Sequence, residues 1–177
     1  MAAKYALIFC SASKGIDEDF DKAASEVVRM VWSHGYGIVS GGTVKGTMNV
    51  VGNAAAALGA PHKGVLPRFM KGLEHPALTE IVWTDTMSER KEEMRKGTSL
   101  VVALPGGIGT LDEFFETFTL AKLGQYDGRI LVYNVKHFFD PLRELLDYFV
   151  RTGMLDAASR SLVSFPEDPE ELEKELG

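Results

Sequence analysis

The chain has 177 residues, 45% of them hydrophobic and 25% charged, a composition that excludes global disorder and suits one globular domain over 1–177. A formal charge of -6 repels a polyanion, so nucleic acid is not an expected partner. The single cysteine, Cys10, excludes an internal disulfide framework and a cysteine metal cluster and fits a reducing cytoplasm.

The opening residues, 1–10, carry one lysine and a short apolar run, too short for a membrane span and a poor match to a secretory leader. The run 5–10, YALIFC, reads as a central strand buried on both faces. Ser11 to Gly15 then turn the chain. Residues 17–33 have the helical period, with Phe20, Ala24, Val27, Val28 and Val31 on one face and acidic first turns. A short strand over 37–40 runs into Gly41-Gly42-Thr43. A helix with a thin, small-residue face follows over 46–58, closed by Gly59 and Pro61. Residues 63–66 form a third strand, 67–78 a loop with room for a turn of helix, and 80–83 a fourth strand.

A charged helix is expected over 88–96, with Thr86 and Glu89 as its capping box. The apolar run 100–104 is a strand at the centre of the sheet. Pro105-Gly106-Gly107-Ile108-Gly109-Thr110 breaks it, and a helix resumes over 111–123 with Leu111, Phe114, Phe115, Phe118 and Ala121 toward the core. A strand over 130–133, a helix over 138–150, a short strand at 162–163 and an acidic helix over 169–176 complete the chain. The βαβα alternation with all-apolar strands predicts a three-layer α/β/α sandwich with a mostly parallel sheet.

Three Gly/Ser/Thr-rich loops, at 11–15, 41–46 and 105–110, follow strands and so share one edge of such a sheet, where ligands bind. The third is the strongest candidate. Its glycines allow close backbone approach, and the free amides of the helix beyond suit an anion. Thr110 is expected to cap that helix or donate to phosphate. Glu113 lies off the apolar stripe near the mouth of the loop and is expected to stay ionised in the field of the helix end. Its two candidate roles are to activate water or to stabilise a positive centre. Arg90 and Lys91, at the start of a helix where basic groups are locally unfavourable, call for a compensating anion. Ser13 and Ser40 are candidate oxygen donors to a ligand. The four histidines, at 34, 62, 75 and 137, lack metal-ligand spacing, so no metal is expected. Neither G-x-G-x-x-G after the first strand nor a complete P-loop occurs, which removes specific support for dinucleotide or nucleoside-triphosphate chemistry.

These motifs resemble those of a known family. Residues 105–113, PGGIGTLDE, match the PGGxGTxxE motif of the LOG ("lonely guy") family, formerly labelled lysine decarboxylase-like. Residues 87–91, MSERK, are similar to its MHERK motif, with Ser88 where the family has His. The likeness extends to IFCSAS at 8–13, the Gly41 to Met48 block and VLP at 65–67. It implies a Rossmann-like fold, a homodimer, and hydrolysis of nucleoside 5'-monophosphates, cytokinin riboside 5'-monophosphate or AMP, to free base and ribose 5-phosphate. It further implies Glu113 and Arg90 as catalytic residues. Gly106, Gly107, Gly109, Thr110, Lys91, Ser13, Gly42 and Met87 would bind substrate and phosphate, with no metal or cofactor. A non-catalytic nucleotide- or cofactor-binding protein of the same fold is the alternative.

Overall fold

The computed structural model describes residues 4–177; the opening residues 1–3, read above with the strand that follows, lie outside them. Seven strands make one sheet: β1 (Lys4–Phe9), β2 (Tyr36–Ser40), β3 (His62–Pro67), β4 (Glu80–Thr84), β5 (Thr98–Ala103), β6 (Arg129–Val132) and β7 (Val163–Ser164). Their order is β4-β3-β2-β1-β5-β6-β7, and every pairing between them is parallel. The helices are α1 (Glu18–Ser33), α2 (Gly46–Leu58), α3 (Met87–Arg95), α4 (Ile108–Lys122), α5 (Asp140–Arg151), α6 (Ala157–Arg160) and α7 (Pro169–Leu176). The expected Rossmann-like sandwich is therefore what the chain adopts.

Strand alternation explains the layers. Ala6, Ile8, Leu100 and Val102 point to one face, where Ala24, Val27 and Val31 of α1, Val51 and Ala55 of α2 and Leu172 of α7 cover them. Leu7, Phe9, Val101 and Ala103 point to the other, beneath Met94 of α3, Phe114 and Phe118 of α4 and Leu142 and Leu146 of α5. The thin face of α2 has a use: a Cβ on Gly52 would stand 2.6 Å from the His75 ring. Local signals hold where side chains close the helix ends. Asp17 caps α1, Thr86 and Glu89 form a complete capping box on α3, and Gly59 takes φ 63° after α2.

Three expectations need correction. Helix α4 begins at Ile108, not at residue 111, so the Gly-rich segment is itself the first turn of the helix. Glycine weakens a helix by about 1 kcal/mol, which is why propensity delays the start. The buried Thr110, whose Oγ1 donates to the Cys10 carbonyl at 3.2 Å, holds the turn in place instead. Helix α5 begins at Asp140 rather than at residue 138, after a 3-10 turn at Val135–His137 in which Lys136 and His137 have φ 52° and 60°. Helix α6, a single turn too short to show a hydrophobic period, is an element that the sequence did not predict.

Candidate active site

Strand order reverses between β1 and β5, so the chains leaving their C-terminal ends diverge and open a crevice. A cavity of about 300 Å³ occupies that point. Its walls come from Cys10, Ser11 and Ser13 after β1, Gly41 and Thr43 after β2, and Lys45 and Met48 at the start of α2. Met70 after β3, Arg90 of α3, Gly107 just before α4, and Ile108, Gly109, Thr110 and Glu113 of α4 also line it.

Two helices open onto the cavity, and both begin without a side-chain cap: α2 from Lys45 and α4 from Gly107. Among the helices that start elsewhere, α1, α3, α6 and α7 are capped by Asp17, Thr86, Asp156 and Asp168, while α5 also begins without a side-chain cap. The first amides of α4 have no intrahelical acceptor, and together with the helix field they suit an anion. Thr110 neither caps the helix nor lies exposed to a ligand along its whole side chain. Its hydroxyl stitches α4 to β1 and fills the space beside Gly106, where any Cβ would collide with it.

Arg90 is buried and held on two sides. Its Nε donates to the Val65 carbonyl at 2.9 Å and its Nη2 to the Gly41 carbonyl at 3.3 Å. The third nitrogen, Nη1, stands 4.0 Å from Glu113 Oε1. Gly41 must be glycine here, because a Cβ would run into Arg90 Nη2 and the Met48 sulfur. The anion that the start of α3 called for is thus, in part, Glu113.

Glu113 does not behave as a helix-end carboxylate. With α4 starting at Ile108 it lies in the second turn, where the helix field has faded, and its side chain is only 13% exposed. Burial raises its pKa from 4.5 to about 7; Arg90 and Lys91 oppose the rise, while Asp112 and Glu116 add to it. The expectation of a plainly ionised group gives way to one that changes charge near neutrality. Burial also lowers Arg90 from its usual value, with Glu113 opposing. The Cys10 thiol, buried and facing Glu113, is pushed far up and is no nucleophile.

Six of the residues singled out from the sequence meet at this cavity: Glu113, Arg90, Gly107, Gly109, Thr110 and Ser13. Five, Ser40 included, do not line it. Lys91 turns away to Asp112 and Glu116. Met87 is exposed at the start of α3. Gly106 backs onto Thr110, and Gly42, with φ 70°, packs against Gly64. Ser40 is fully buried, with its hydroxyl on His62 Nε2 at 2.8 Å and accepting from the Gly42 amide. Ser88 lines a separate hollow over α3 and α4. Lys45 and Met70 were not singled out, and Met48 entered only as the end of the Gly41 to Met48 block. Lys45 had a signal, a cation in a Gly-rich loop before a helix; Met70 had none, since its place comes from the path of residues 67–78. His137, Asp140 and Glu167 bring ligand atoms within 4.8 Å of one another, yet Arg143 already pairs with both carboxylates, at 2.8 and 2.5 Å.

Known proteins resemble the chain over most of its length. Residues 48–176 match the family described as "possible lysine decarboxylase". A cytokinin riboside 5'-monophosphate phosphoribohydrolase of Arabidopsis thaliana is 31% identical over 174 residues, spanning 97% of this chain and 76% of its own. One from Mycobacterium tuberculosis is 36% identical over 148 residues, 82% of this chain and 79% of its own. Among solved structures, a molybdenum cofactor carrier protein from Chlamydomonas reinhardtii superposes with a TM-score of 0.72 at 21% identity, covering 98% of each chain. That last likeness speaks for the fold alone. With the family match and the two relatives agreeing, the chain belongs to the LOG family, the group behind the "possible lysine decarboxylase" description.

Proposed function

We propose that the chain hydrolyses the N-glycosidic bond of a nucleoside 5'-monophosphate, of the cytokinin riboside or adenosine type, to free base and ribose 5-phosphate. One observation carries this reading. The Glu113 carboxyl and the Arg90 guanidinium stand 4.0 Å apart in a cavity that is also lined by the uncapped start of α4. The names of the relatives support it.

In this mechanism the 5'-phosphate rests on the amides at Gly107 to Thr110, with Ser13 and Lys45 at the rim. Anchored there, the ribose presents C1' to Glu113, so binding energy remote from the bond orients it. As the C1'–N bond breaks, its electron pair leaves with the base, which takes up a proton, and C1' gains oxocarbenium character. Ionised Glu113 stabilises that charge or accepts the proton of the water whose oxygen bonds to C1'. A carboxyl with a pKa of about 7 is suited to proton transfer near neutral pH. Arg90 opposes the rise in that pKa and so favours the ionised form. The reading invokes no metal and no cofactor. Family resemblance supports a homodimer, and the single buried Cys10 suits a reducing cytoplasm.

The test follows free base released from AMP and from isopentenyladenosine 5'-monophosphate. Glu113→Gln should lower kcat by at least about 10²-fold, with KM little changed. Nucleosides lacking the phosphate should lose about 10³-fold in kcat/KM. Near-normal turnover by the Gln variant would remove Glu113 from the chemistry, and equal cleavage of nucleosides would remove the phosphate anchor. Tight binding of monophosphates without any base release would favour the non-catalytic alternative.

A further inference from the structure

We propose that Glu116 is a positioning residue, which bridges from α4 to Lys91 and Arg95 of α3 and thereby sets the separation between Arg90 and Glu113. The proposal rests on the hydrolase reading above.

The two helices lie on the same face of the sheet, but their backbones scarcely approach each other. Helix α3 packs on β3 and β4, whereas α4 meets β1. Side chains must carry the link. Glu116 Oε1 meets Arg95 Nη2 at 2.6 Å, and its Oε2 pairs with Lys91 Nζ, which also reaches Asp112 Oδ2 at 3.0 Å. Lys91 and Arg95 stand one turn apart on α3, as Asp112 and Glu116 do on α4, so the four groups form a ladder. The Glu116 rungs are partly buried: the Lys91 and Arg95 side chains are 12% and 11% exposed and Glu116 is 32% exposed, whereas Asp112 lies at the surface.

The ladder matters because the catalytic pair is anchored on one side only. Arg90 is fixed from the sheet by the Val65 and Gly41 carbonyls. The carboxyl of Glu113 has, among the described residues, just the 4.0 Å approach of Arg90. Its position therefore follows the placement of α4, which the ladder ties to the helix bearing Arg90. Lys91 adjoins Arg90 in sequence, and Glu116 lies one turn beyond Glu113, so the strut runs directly beside the pair it spaces.

Glu113 is faced by Arg90 and Lys91 from α3, by Asp112 and Glu116 on its own helix, and by Cys10 from the end of β1. Lys45 lines the same cavity from the start of α2. The like charge of Glu116 raises the pKa of Glu113. Loss of that charge alone would let the acid limb of the kcat/KM profile move down. Loss of the strut, by separating Arg90 from Glu113, moves the limb up. The sign of the shift distinguishes the two.

Three variants and two measurements test this. Glu116→Ala should raise the acid limb by about one pH unit and lower kcat about tenfold. Inhibition by ribose 5-phosphate, held on the α4 loop, should change by less than about twofold. Glu116→Asp keeps the charge, shortens the strut and is the milder change for folding; it should move the limb in the same upward direction. Glu116→Gln, which can still bond Lys91 and Arg95, should stay close to the wild-type kcat. A downward or absent shift in the Ala and Asp variants overturns the proposal. Titration of the Glu113 carboxyl by 13C NMR, wild type against Glu116→Asp, reads the same shift without turnover. An inactive wild type would then count against the hydrolase reading alone.

Discussion

At Glu113 two forces pull in opposite directions, and the balance carries a cost in stability. Desolvation favours the neutral acid; Arg90, 4.0 Å away, favours the ion. Desolvation wins, leaving a pKa of about 7 against an ordinary 4.5. The folded chain therefore holds this proton more tightly than the unfolded one. Well below pH 4.5 both states are protonated and nothing is lost. Between the two values the unfolded chain ionises first, so stability falls as pH rises. Above pH 7 the loss is complete, at about 3 kcal/mol for a shift of this size. Glutamine cannot ionise and fills the same space. Glu113→Gln should therefore stabilise the fold by about 2–3 kcal/mol at pH 8, with most of that gain gone at pH 5. Urea unfolding at the two pH values measures it. An equal gain at both would mean that burial does not shift Glu113 as described.

The α4 start shows how an element turns a glycine motif into a site. Its glycines have different tasks. Gly106 is crowded by Thr110, whose hydroxyl ties α4 to the end of β1. Gly107 has open space where a side chain would go. Gly106→Ala should push Thr110 aside, break that tie and cost about 1–3 kcal/mol as well as substrate affinity. Gly107→Ala should leave stability within about 0.5 kcal/mol and raise the KM for monophosphates, because its methyl lies at the proposed phosphate seat. Thermal melts and substrate kinetics on the two variants separate these effects; equal destabilisation would contradict the assigned division. The sequence shows the motif but not the division. Composition placed a Gly-rich break between strand and helix, and apolar period placed Phe114 and Phe118 in the core. The true start of α4 escaped, since it rests on the contact of Thr110 with a carbonyl a hundred residues earlier. The burial of Glu113 and the turn of Lys91 toward Asp112 escaped for the same reason: each depends on how α3 and α4 face one another across the sheet.

For the whole molecule, architecture decides where a ligand binds but not which one. The β4-β3-β2-β1-β5-β6-β7 order creates one switch point, and it was legible as three Gly/Ser/Thr loops on one edge. A molybdenum cofactor carrier shares this fold over 98% of the chain at 21% identity, and one fold hosts unrelated functions. The choice therefore falls on the groups at the switch point: two uncapped helix starts, a buried arginine and a carboxyl poised near neutrality. In the proposed reading those groups recognise a phosphorylated sugar by its phosphate first. A ligand that binds only the folded state stabilises it by about 2.7 kcal/mol at a hundred times its Kd. In a domain of this size that raises Tm by about 5–10 °C. Ribose 5-phosphate and AMP should produce such a rise, and ribose and adenosine at equal concentration should not. Exchanging Gly107 for Ala should shrink the rise for both phosphorylated ligands together, since one seat serves them. If ribose matches ribose 5-phosphate, the anion site at the head of α4 is not where the ligand is held, and the cavity must recognise its ligand through other groups.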